Sequence, residues 1–329
     1  MIKIIYNVNI IKFPLNYHNI QYISGKIRVV TSTLNLKGAI YMIKKLLVVN
    51  QTLPYDDLVL KFARSLKFLG AKEVIVANNI TTLSDRLIDG YDPLVIEESL
   101  KEIEKEGFST RMLELQDLPV EDINKLVQND DTYDSLIMVG AKRSSLGKRI
   151  FDTEFAYELI QMPSKPILIV RIDEESEKFS TVPAELSPES HVLFPTDFSE
   201  NAHQAFQYLE KMVEAGIRKV TLMHIQDISK ISPYLDYRII EFNQIDRDRL
   251  EELKKRLEEK GAAKVDIILE MGRPFREISR VVEENHVDLL ILGRQGKGII
   301  KDIFIGSNSN NLARRAHTSV LLVPEMKKK

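Results

Sequence analysis

Three glycines and a following serine have the types and the spacing that phosphate binding needs. Gly293 and Gly296 follow an apolar run, and Gly306 stands directly before Ser307. Glycine allows positive φ angles and close backbone approach, and the free N–H groups at a helix N-terminus stabilise an anion. The spacing therefore predicts a phosphate-binding segment at residues 293–307, which we call the glycine loop.

Charged and hydroxyl side chains lie in or near this loop. Arg294, Lys297 and Lys301 bring positive charge, and Ser309 adds a second hydroxyl donor. Asp197, at the end of a different apolar run, is suited to accept hydrogen bonds from ribose hydroxyls or to help hold a metal ion. Together these residues indicate a nucleotide site.

Other interpretations of the same residues remain open. The glycines could serve only as turn and cap residues. The spacing matches neither the Walker sequence nor the dinucleotide fingerprint. The six histidines show no metal-site spacing, and we predict no catalytic residue. His224 either borders the cleft or is a packed, hydrogen-bonded strand residue.

Short continuous apolar runs alternate with helix-period segments, which is typical of parallel strands covered on both faces. The second half of the chain is predicted to have strands near 191–196, 218–225, 264–270, 287–292 and 319–323. Its helices are predicted near 199–215, 241–260, 273–285 and 307–317, with Ser199 as the N-cap of the first. We expect the helix near 241–260 to present a charged, solvated face with internal ion pairs. The segment 227–242 is either a lid over the nucleotide or an ordered surface loop.

The strand and helix order occurs twice along the chain, so we predict a tandem duplication. The predicted fold is α/β, with two tandem Rossmann-like domains that each have an open five-stranded parallel sheet flanked by helices. The expected limits are an N-terminal extension at 1–41 with Met42 as a candidate native start, a first domain at 42–172, a linker at 173–190 and a second domain at 191–329.

Two signatures in the second half resemble the universal stress protein family. One is the opening strand and turn at 192–200, and the other is the glycine spacing that leads into a helix and a last strand ending at Pro324. The resemblance implies ATP binding with Mg²⁺ or Mn²⁺ and pairing of domains through their last strands.

The resemblance also implies roles for individual residues. Asp197 would contact the ribose. The cleft would be lined by Pro195 and Thr196, and the backbone of Ile225 would meet adenine. The remaining positions would flank the nucleotide or hold its phosphates: Leu292, Gly293, Gly296, Gly306, Ser307 and Ser309. Asn308 stands where a small apolar residue is commoner, so its contact departs from the pattern.

The first half has lost several of these residues. Gln51 stands opposite Asp197. Gly140 alone of the three glycines survives, because Arg143 and Thr153 replace the other two, and Glu154 replaces Ser307. We expect no nucleotide there and interpret this half as a folded pairing partner. A second interpretation is an anionic effector site built from Lys142, Arg143, Lys148 and Arg149.

Composition limits the classes of partner. The 329-residue chain has a net charge of −2, which offers no bulk field for nucleic acid or anionic membrane, and it has no cysteine for disulfides or thiolate chemistry. No apolar run reaches the length of a membrane span. We expect a cytoplasmic protein that forms an intramolecular pseudo-dimer, with a further homodimer left open.

The expected function is that of an ATP-binding regulatory protein in stress response, with ATP hydrolysis slow at most. Nucleotide occupancy would alter contacts with an unknown protein partner. Two alternatives stand beside it: a nucleotide-independent interaction or scaffold module, and a slow ATP hydrolase or nucleotidyl-transfer enzyme.

Overall fold

The structure of the chain is a computed structural model. It describes residues 20–23, 26–29, 42–80, 92–116, 120–127, 134–142, 159–160, 164–176, 178–227, 239–294 and 307–325. The chain divides into two compact units, Met1–Ala39 and Ile40–Lys329. In the first unit, strands β1 (Ile20–Ile23) and β2 (Lys26–Val29) pair antiparallel, so the predicted extension contains secondary structure of its own.

The second unit begins with the elements of the first half. They are β3 (Lys45–Asn50), α1 (Asp56–Arg64), a 3-10 helix (Ser65–Leu69), β4 (Glu73–Ile80), α2 (Pro93–Lys105), β5 (Ser109–Gln116), α3 (Val120–Val127), β6 (Ser135–Lys142) and β7 (Ile167–Glu175). The short strand β8 (Lys178–Val182) follows.

The second half repeats this order. Its elements are β9 (His191–Pro195), α4 (Glu200–Ala215), β10 (Lys219–Asp227), α5 (Ile239–Lys260), β11 (Lys264–Gly272), α6 (Pro274–Glu284), β12 (Leu289–Gly293), α7 (Ser307–Arg315) and β13 (Ser319–Val323). The nine predicted elements of this half are present with small shifts at their ends.

One sheet runs through both halves, in the order β11-β10-β9-β12-β13-β7-β6-β3-β4-β5. Within each half the neighbouring strands are parallel, and the first strand lies between the second and the fourth. Alternate residues of these strands are buried in two apolar cores, one on each face, and each core includes residues of both halves. The α/β prediction with flanked parallel sheets is confirmed.

The two halves meet through their last strands. β13 pairs antiparallel with β7, and Leu321 stands opposite Leu168 at the centre of the register. The predicted alignment of the two halves matches Leu168 with Leu321, so this pairing has the self-complementary geometry of a two-fold interface. We call this pairing of β7 with β13 the seam. It has the arrangement that a pseudo-dimer would have.

The segment expected to be a linker is ordered. It contains the end of β7 and all of β8, which pairs antiparallel with β7, and Leu186 is buried. The proposed domain limits remain predictions, because both halves belong to one compact unit.

Local sequence signals account for the helix that follows β9. The Ser199 side chain accepts a hydrogen bond from the N–H of Ala202 at 3.2 Å, as an N-cap does. The helix α4 buries an apolar stripe that includes Phe206 and Leu209, and it ends at Gly216, whose φ is 142°. The N-cap prediction is confirmed.

Helix α5 has the expected charged face: most of its charged residues are exposed, and it has internal pairs such as Lys254–Glu258. Arg256 also makes two hydrogen bonds to Glu210 of α4, at 3.1 and 2.9 Å. Periodicity alone did not predict this contact, because it does not show which charges a neighbouring helix will meet. Residues 228–238, most of the segment interpreted as either a lid or a surface loop, lie outside the described residues. Within the described ranges, no helix is long and apolar enough to cross a membrane.

The shared sheet and cores predict that the two halves unfold together. Leu209→Ala removes a side chain that is 0% exposed, and we expect it to destabilise the chain by about 2–5 kcal/mol. Amide hydrogen exchange should show reduced protection of β3, in the other half, as well as of β9. The control Ile240→Ala removes a side chain that is 85% exposed and should change stability by less than about 0.5 kcal/mol. Unchanged protection of β3 in Leu209→Ala would contradict joint unfolding.

Candidate functional site

The strand order of the second half reverses between β9 and β12. β9 and β12 are parallel neighbours, with β10 on one side of the pair and β13 on the other. In an open parallel sheet this switch point is where the loops diverge and leave room for a ligand. Asp197 follows β9 and Arg294 follows β12, so the fold brings both residues to this edge of the sheet, as predicted.

The turn after β9 is held by hydrogen bonds within the turn and to the neighbouring strand β10. The buried Thr196 donates its N–H to the carbonyl oxygen of Met223 at 2.8 Å and accepts the N–H of Phe198 on its hydroxyl at 3.0 Å. An oxygen of the Asp197 carboxylate accepts the N–H of Ser199 at 3.0 Å. Phe198 has a φ of 56°, a value uncommon for residues with a side chain. These bonds orient the Asp197 carboxylate, which is partly exposed.

His224 supports this turn from the neighbouring strand. Its Nδ1 lies 2.7 Å from the carbonyl oxygen of Thr196. Because a carbonyl oxygen only accepts, Nδ1 carries the proton and donates the hydrogen bond. The imidazole ring packs on Phe198 with 4.7 Å between ring centroids. Of the two interpretations left open for His224, the packed and hydrogen-bonded one describes its environment.

Helix α5 adds residues to this edge that the sequence analysis did not identify. Asp246 accepts a hydrogen bond from the Gln226 side chain at 2.9 Å and lies 3.4 Å from Nε2 of His224. The Arg249 guanidinium lies over the Phe198 ring, 5.2 Å from its centroid. Nothing in the charge pattern of α5 distinguishes Asp246 from its exposed neighbours, since only the packing of α5 beside β10 brings it to His224.

Gly293 is surrounded too closely to tolerate a side chain. A methyl group there would lie 2.9 Å from the carbonyl oxygen of Asn201, in the first turn of α4. Its own carbonyl oxygen accepts the Ser309 hydroxyl at 2.9 Å. The first turn of α7 is thus tied to the end of β12, and the Ser309 proton is used within the protein.

Arg294 is half-buried beside the seam. Its N–H donates to the carbonyl oxygen of Val323 at 3.0 Å. Burial lowers the pKa of its guanidinium from the ordinary value, and the negative charge of Glu325 opposes this shift. A guanidinium remains protonated under such a shift, so Arg294 keeps a positive charge where solvent screens it less than at an open surface.

The remaining predicted residues are placed unevenly. Ile225 and Leu292 are buried in the same core, so their side chains are occupied and their backbone groups are what a ligand could contact. Pro195 ends β9, Ser307 begins α7, and Asn308 is exposed. Gly296, Gly306, Lys297 and Lys301 lie outside the described residues.

The first half has a different arrangement at the corresponding edge. Gln51 donates its side-chain amide to the carbonyl oxygen of Gly140 at 3.0 Å, which bridges the ends of β3 and β6. Thr52 has a φ of 58°, nearly the value at the aligned Phe198. A methyl group at Gly140 would lie 2.7 Å from Cγ2 of Val59. The turn has the same shape in the two halves, while the aspartate position holds a neutral bridging side chain.

The backbone N–H groups of the turn after β3 donate to a side chain of the protein itself. Asp56 accepts the N–H of Gln51 at 2.7 Å and that of Leu53 at 2.9 Å, and its side chain is buried. Desolvation by burial is the main cause that raises its pKa to about 7, while these hydrogen bonds lower it. Backbone N–H groups that face a cleft commonly hold an anion, and here Asp56 takes that place.

Lys142, one residue of the alternative anion site, is engaged by its neighbours. Its ammonium lies 3.0 Å from Glu174 and 4.6 Å from the centroid of the Phe179 ring. The other residues proposed for that site, Arg143, Lys148 and Arg149, lie outside the described residues, as do Thr153 and Glu154.

Comparison with known proteins places the chain in a family. The model of the universal stress protein family matches residues 190–324. Universal stress protein MJ0577 of Methanocaldococcus jannaschii is 30% identical over 151 residues, which is 40% of this chain and 93% of that protein. The chain belongs to the universal stress protein family.

Further similarities extend this result. A second Methanocaldococcus jannaschii universal stress protein, MJ0531, is 26% identical over 145 residues, or 42% of this chain and 83% of that protein. A solved universal stress protein from Archaeoglobus fulgidus covers 88% of this chain and 100% of its own length, with a TM-score of 0.61 and 19% identity. The last similarity concerns the fold and includes both halves.

The contact at Gly293 predicts a steric effect on stability. Gly293→Ala places a methyl group 2.9 Å from a backbone oxygen of α4, so we expect it to destabilise the chain by about 1–3 kcal/mol. Ile240→Ala is again the control, because its side chain is 85% exposed. Urea unfolding measures both variants, and equal stabilities would contradict the close approach.

The raised pKa of Asp56 predicts a pH dependence of stability. An unfolded aspartate has a pKa near 3.9, so the folded chain binds more protons between that pH and the folded value of about 7. The contribution of Asp56 is therefore full below about pH 4 and is lost as the pH rises to about 7. Asp56→Asn should remove about 2 kcal/mol of the change in stability between pH 5 and pH 8.

Urea unfolding at both pH values gives this difference. The exposed Asp173→Asn is the control and should leave the wild-type pH profile intact. An Asp56→Asn profile parallel to that of the wild type would show that Asp56 does not titrate as described.

Proposed function

We propose that the chain binds ATP in the second-half cleft and acts as a regulatory protein whose contacts respond to nucleotide. The observation that carries this proposal is the switch point between β9 and β12, where Asp197 and the start of the glycine loop meet one edge of the sheet. The family membership of residues 190–324 supports it.

The ribose and base would be held beside β9 and β10. The Asp197 carboxylate is oriented by Ser199, and a carboxylate is the type of acceptor that two vicinal hydroxyls need. Because the Ile225 side chain is buried, its backbone is the group that can face adenine. These two positions would recognise a nucleoside without using any charge on the base.

The phosphates would lie against the N-terminus of α7 and the glycine loop. The free N–H groups of a helix start carry partial positive charge, and the half-buried Arg294 adds a full charge from the end of β12. Gly296, Gly306 and Ser307 are proposed contacts by the family resemblance. This electrostatic arrangement favours a nucleoside triphosphate over a nucleoside.

A cation would depend mainly on the phosphate oxygens. Among the described residues, no group of three histidine, cysteine or acidic side chains is placed to hold a metal ion. The described part of the chain thus does not fit a metal site made of protein ligands. We therefore propose nucleotide binding without assigning a metal residue.

The first half would serve as a support and not as a second site. The turn that would face a ligand is bridged by Gln51 and filled by the Asp56 carboxylate. A phosphate approaching these N–H groups would have to displace a buried side chain that already uses them. One nucleotide per chain is the expected stoichiometry.

A second candidate function is a nucleotide-independent interaction module. The close packing of Gly293 on Asn201 accounts for a glycine there without any ligand. The Ser309 hydroxyl is likewise used by the protein itself. In this alternative the glycine loop only shapes the surface that a protein partner contacts.

Calorimetric titration distinguishes the two functions. We expect one ATP per wild-type chain, and a loss of affinity of about 10- to 100-fold in Asp197→Asn, because that variant removes a charged acceptor. Asp266→Asn is the matched control, since Asp266 lies on the edge strand β11 and its side chain is about half exposed. Titrations with and without Mg²⁺ or Mn²⁺ test the cation, and product release from ATP in the same samples tests hydrolysis.

The outcomes separate the alternatives. No heat of binding with millimolar ATP, in either metal condition, would leave the interaction module as the better description. Fast multiple-turnover hydrolysis would instead indicate an enzyme. Equal affinities of the Asp197→Asn and wild-type chains would remove Asp197 from the site.

A further inference from the structure

Arg171 is an arginine that the first half buries at the seam. It belongs to β7, and with 1% exposure it is among the largest fully buried side chains of the described residues. A buried guanidinium is costly unless its donors are used, and it does not escape that cost by losing its proton. The position of its hydrogen bonds therefore shows what the arginine holds.

Its guanidinium reaches across the seam to the end of a helix in the second half. It donates to the carbonyl oxygens of Ala313 at 2.6 Å and Arg314 at 3.4 Å, both in the last turn of α7. A third bond goes to the carbonyl oxygen of Lys142 in β6, at 3.2 Å. The last carbonyls of a helix lack partners within the helix and carry partial negative charge, so a cation there is stabilising.

The backbone of Arg171 is tied to the same half. Its N–H donates to the Ser319 hydroxyl at 3.0 Å, and that hydroxyl donates to the carbonyl oxygen of Val182 at 2.7 Å. Ser319 begins β13, the strand that follows α7. Arg171 is thus fixed to both the end of α7 and the start of the next strand.

The other end of α7 lies at the candidate site. Its first turn is linked to β12 by the bond from Ser309 to Gly293, and between the two ends Leu312 and Ala313 are buried. A helix of nine residues is a stiff rod roughly 13 Å long. A contact that sets its C-terminus therefore also sets where its N-terminal N–H groups point.

The contact runs in one direction between the halves. The duplication aligns Val170 with Val323, so the residue of the second half that corresponds to Arg171 is Pro324. A proline side chain has no donor, so the second half cannot return this interaction. The first half, which lacks an aspartate at the position of Asp197, thus supplies the cation Arg171 to the second half.

We propose that Arg171 is a positioning residue through which the first half sets the phosphate affinity of the second-half site. The proposal rests on the proposed ATP function. It gives the first half a definite role, because that half would hold the N-terminus of α7 where it meets the phosphates. Arg171 itself does not touch the nucleotide.

The test compares two ligands in three variants. We expect Arg171→Met to weaken ATP binding about fivefold or more, and Arg171→Lys, which keeps the charge with fewer donors, to restore part of that loss. Adenosine has no phosphates, so its affinity should remain within about twofold of wild type in both variants. Arg111→Met removes a largely exposed arginine of the first half and should leave both affinities unchanged.

Circular dichroism first establishes that each variant is folded at the titration temperature. If Arg171→Met does not fold, Arg171→Lys alone decides, with a smaller loss for ATP and none for adenosine. Equal losses for both ligands, or no loss for ATP, would overturn the positioning role while leaving the ATP site intact. Failure of the wild-type chain to bind ATP would instead overturn the proposed function and this inference with it.

Discussion

The antiparallel pairing of β7 with β13 is the contact on which the rest of the molecule depends. It joins two parallel five-stranded arrays into one sheet and removes an exposed edge from each. Because the pairing is centred on two aligned leucines, each half presents the same strand to the other. The apolar cores on the two faces then continue across the seam, so each half completes the other's burial.

This symmetric pairing carries an asymmetric chemistry. The turns after β3 and β9 keep nearly the same positive φ, yet in one the Asp197 carboxylate accepts the N–H of Ser199 and the other is bridged by Gln51 and Asp56. A duplicated fold can lose a site by a few substitutions without losing the backbone that formed it, because the turn geometry is held by packing and backbone hydrogen bonds. The first half then still contributes packing and contacts, such as those of Arg171, to the second half.

At the candidate site, residues that are proposed to contact a nucleotide also have packing and hydrogen-bonding roles within the protein. The first turn of α4 lies too close to Gly293 to leave room for a side chain there. The Ser309 hydroxyl donates a hydrogen bond to the Gly293 carbonyl oxygen. Thr196 and His224 hold the turn that orients Asp197. A ligand at this edge would therefore meet groups already fixed by the fold, which lowers the entropic cost of ordering them on binding.

The sequence by itself determined the fold class, the order of the elements and the strand ends that carry Asp197 and Gly293, because apolar runs, helix periodicity and caps are local signals. It did not show that 178–182 would pair as a strand, that α5 would bring Asp246 to His224, or that Arg171 would cap α7. The β7–β8 pairing is a short hairpin, and the charged residues at 173–178 lack the apolar pattern that predicts a strand. The contacts of Asp246 and Arg171 join residues far apart along the chain, and local patterns do not indicate them. Only the tertiary structure decided them, since packing alone chooses which charged side chain meets which partner.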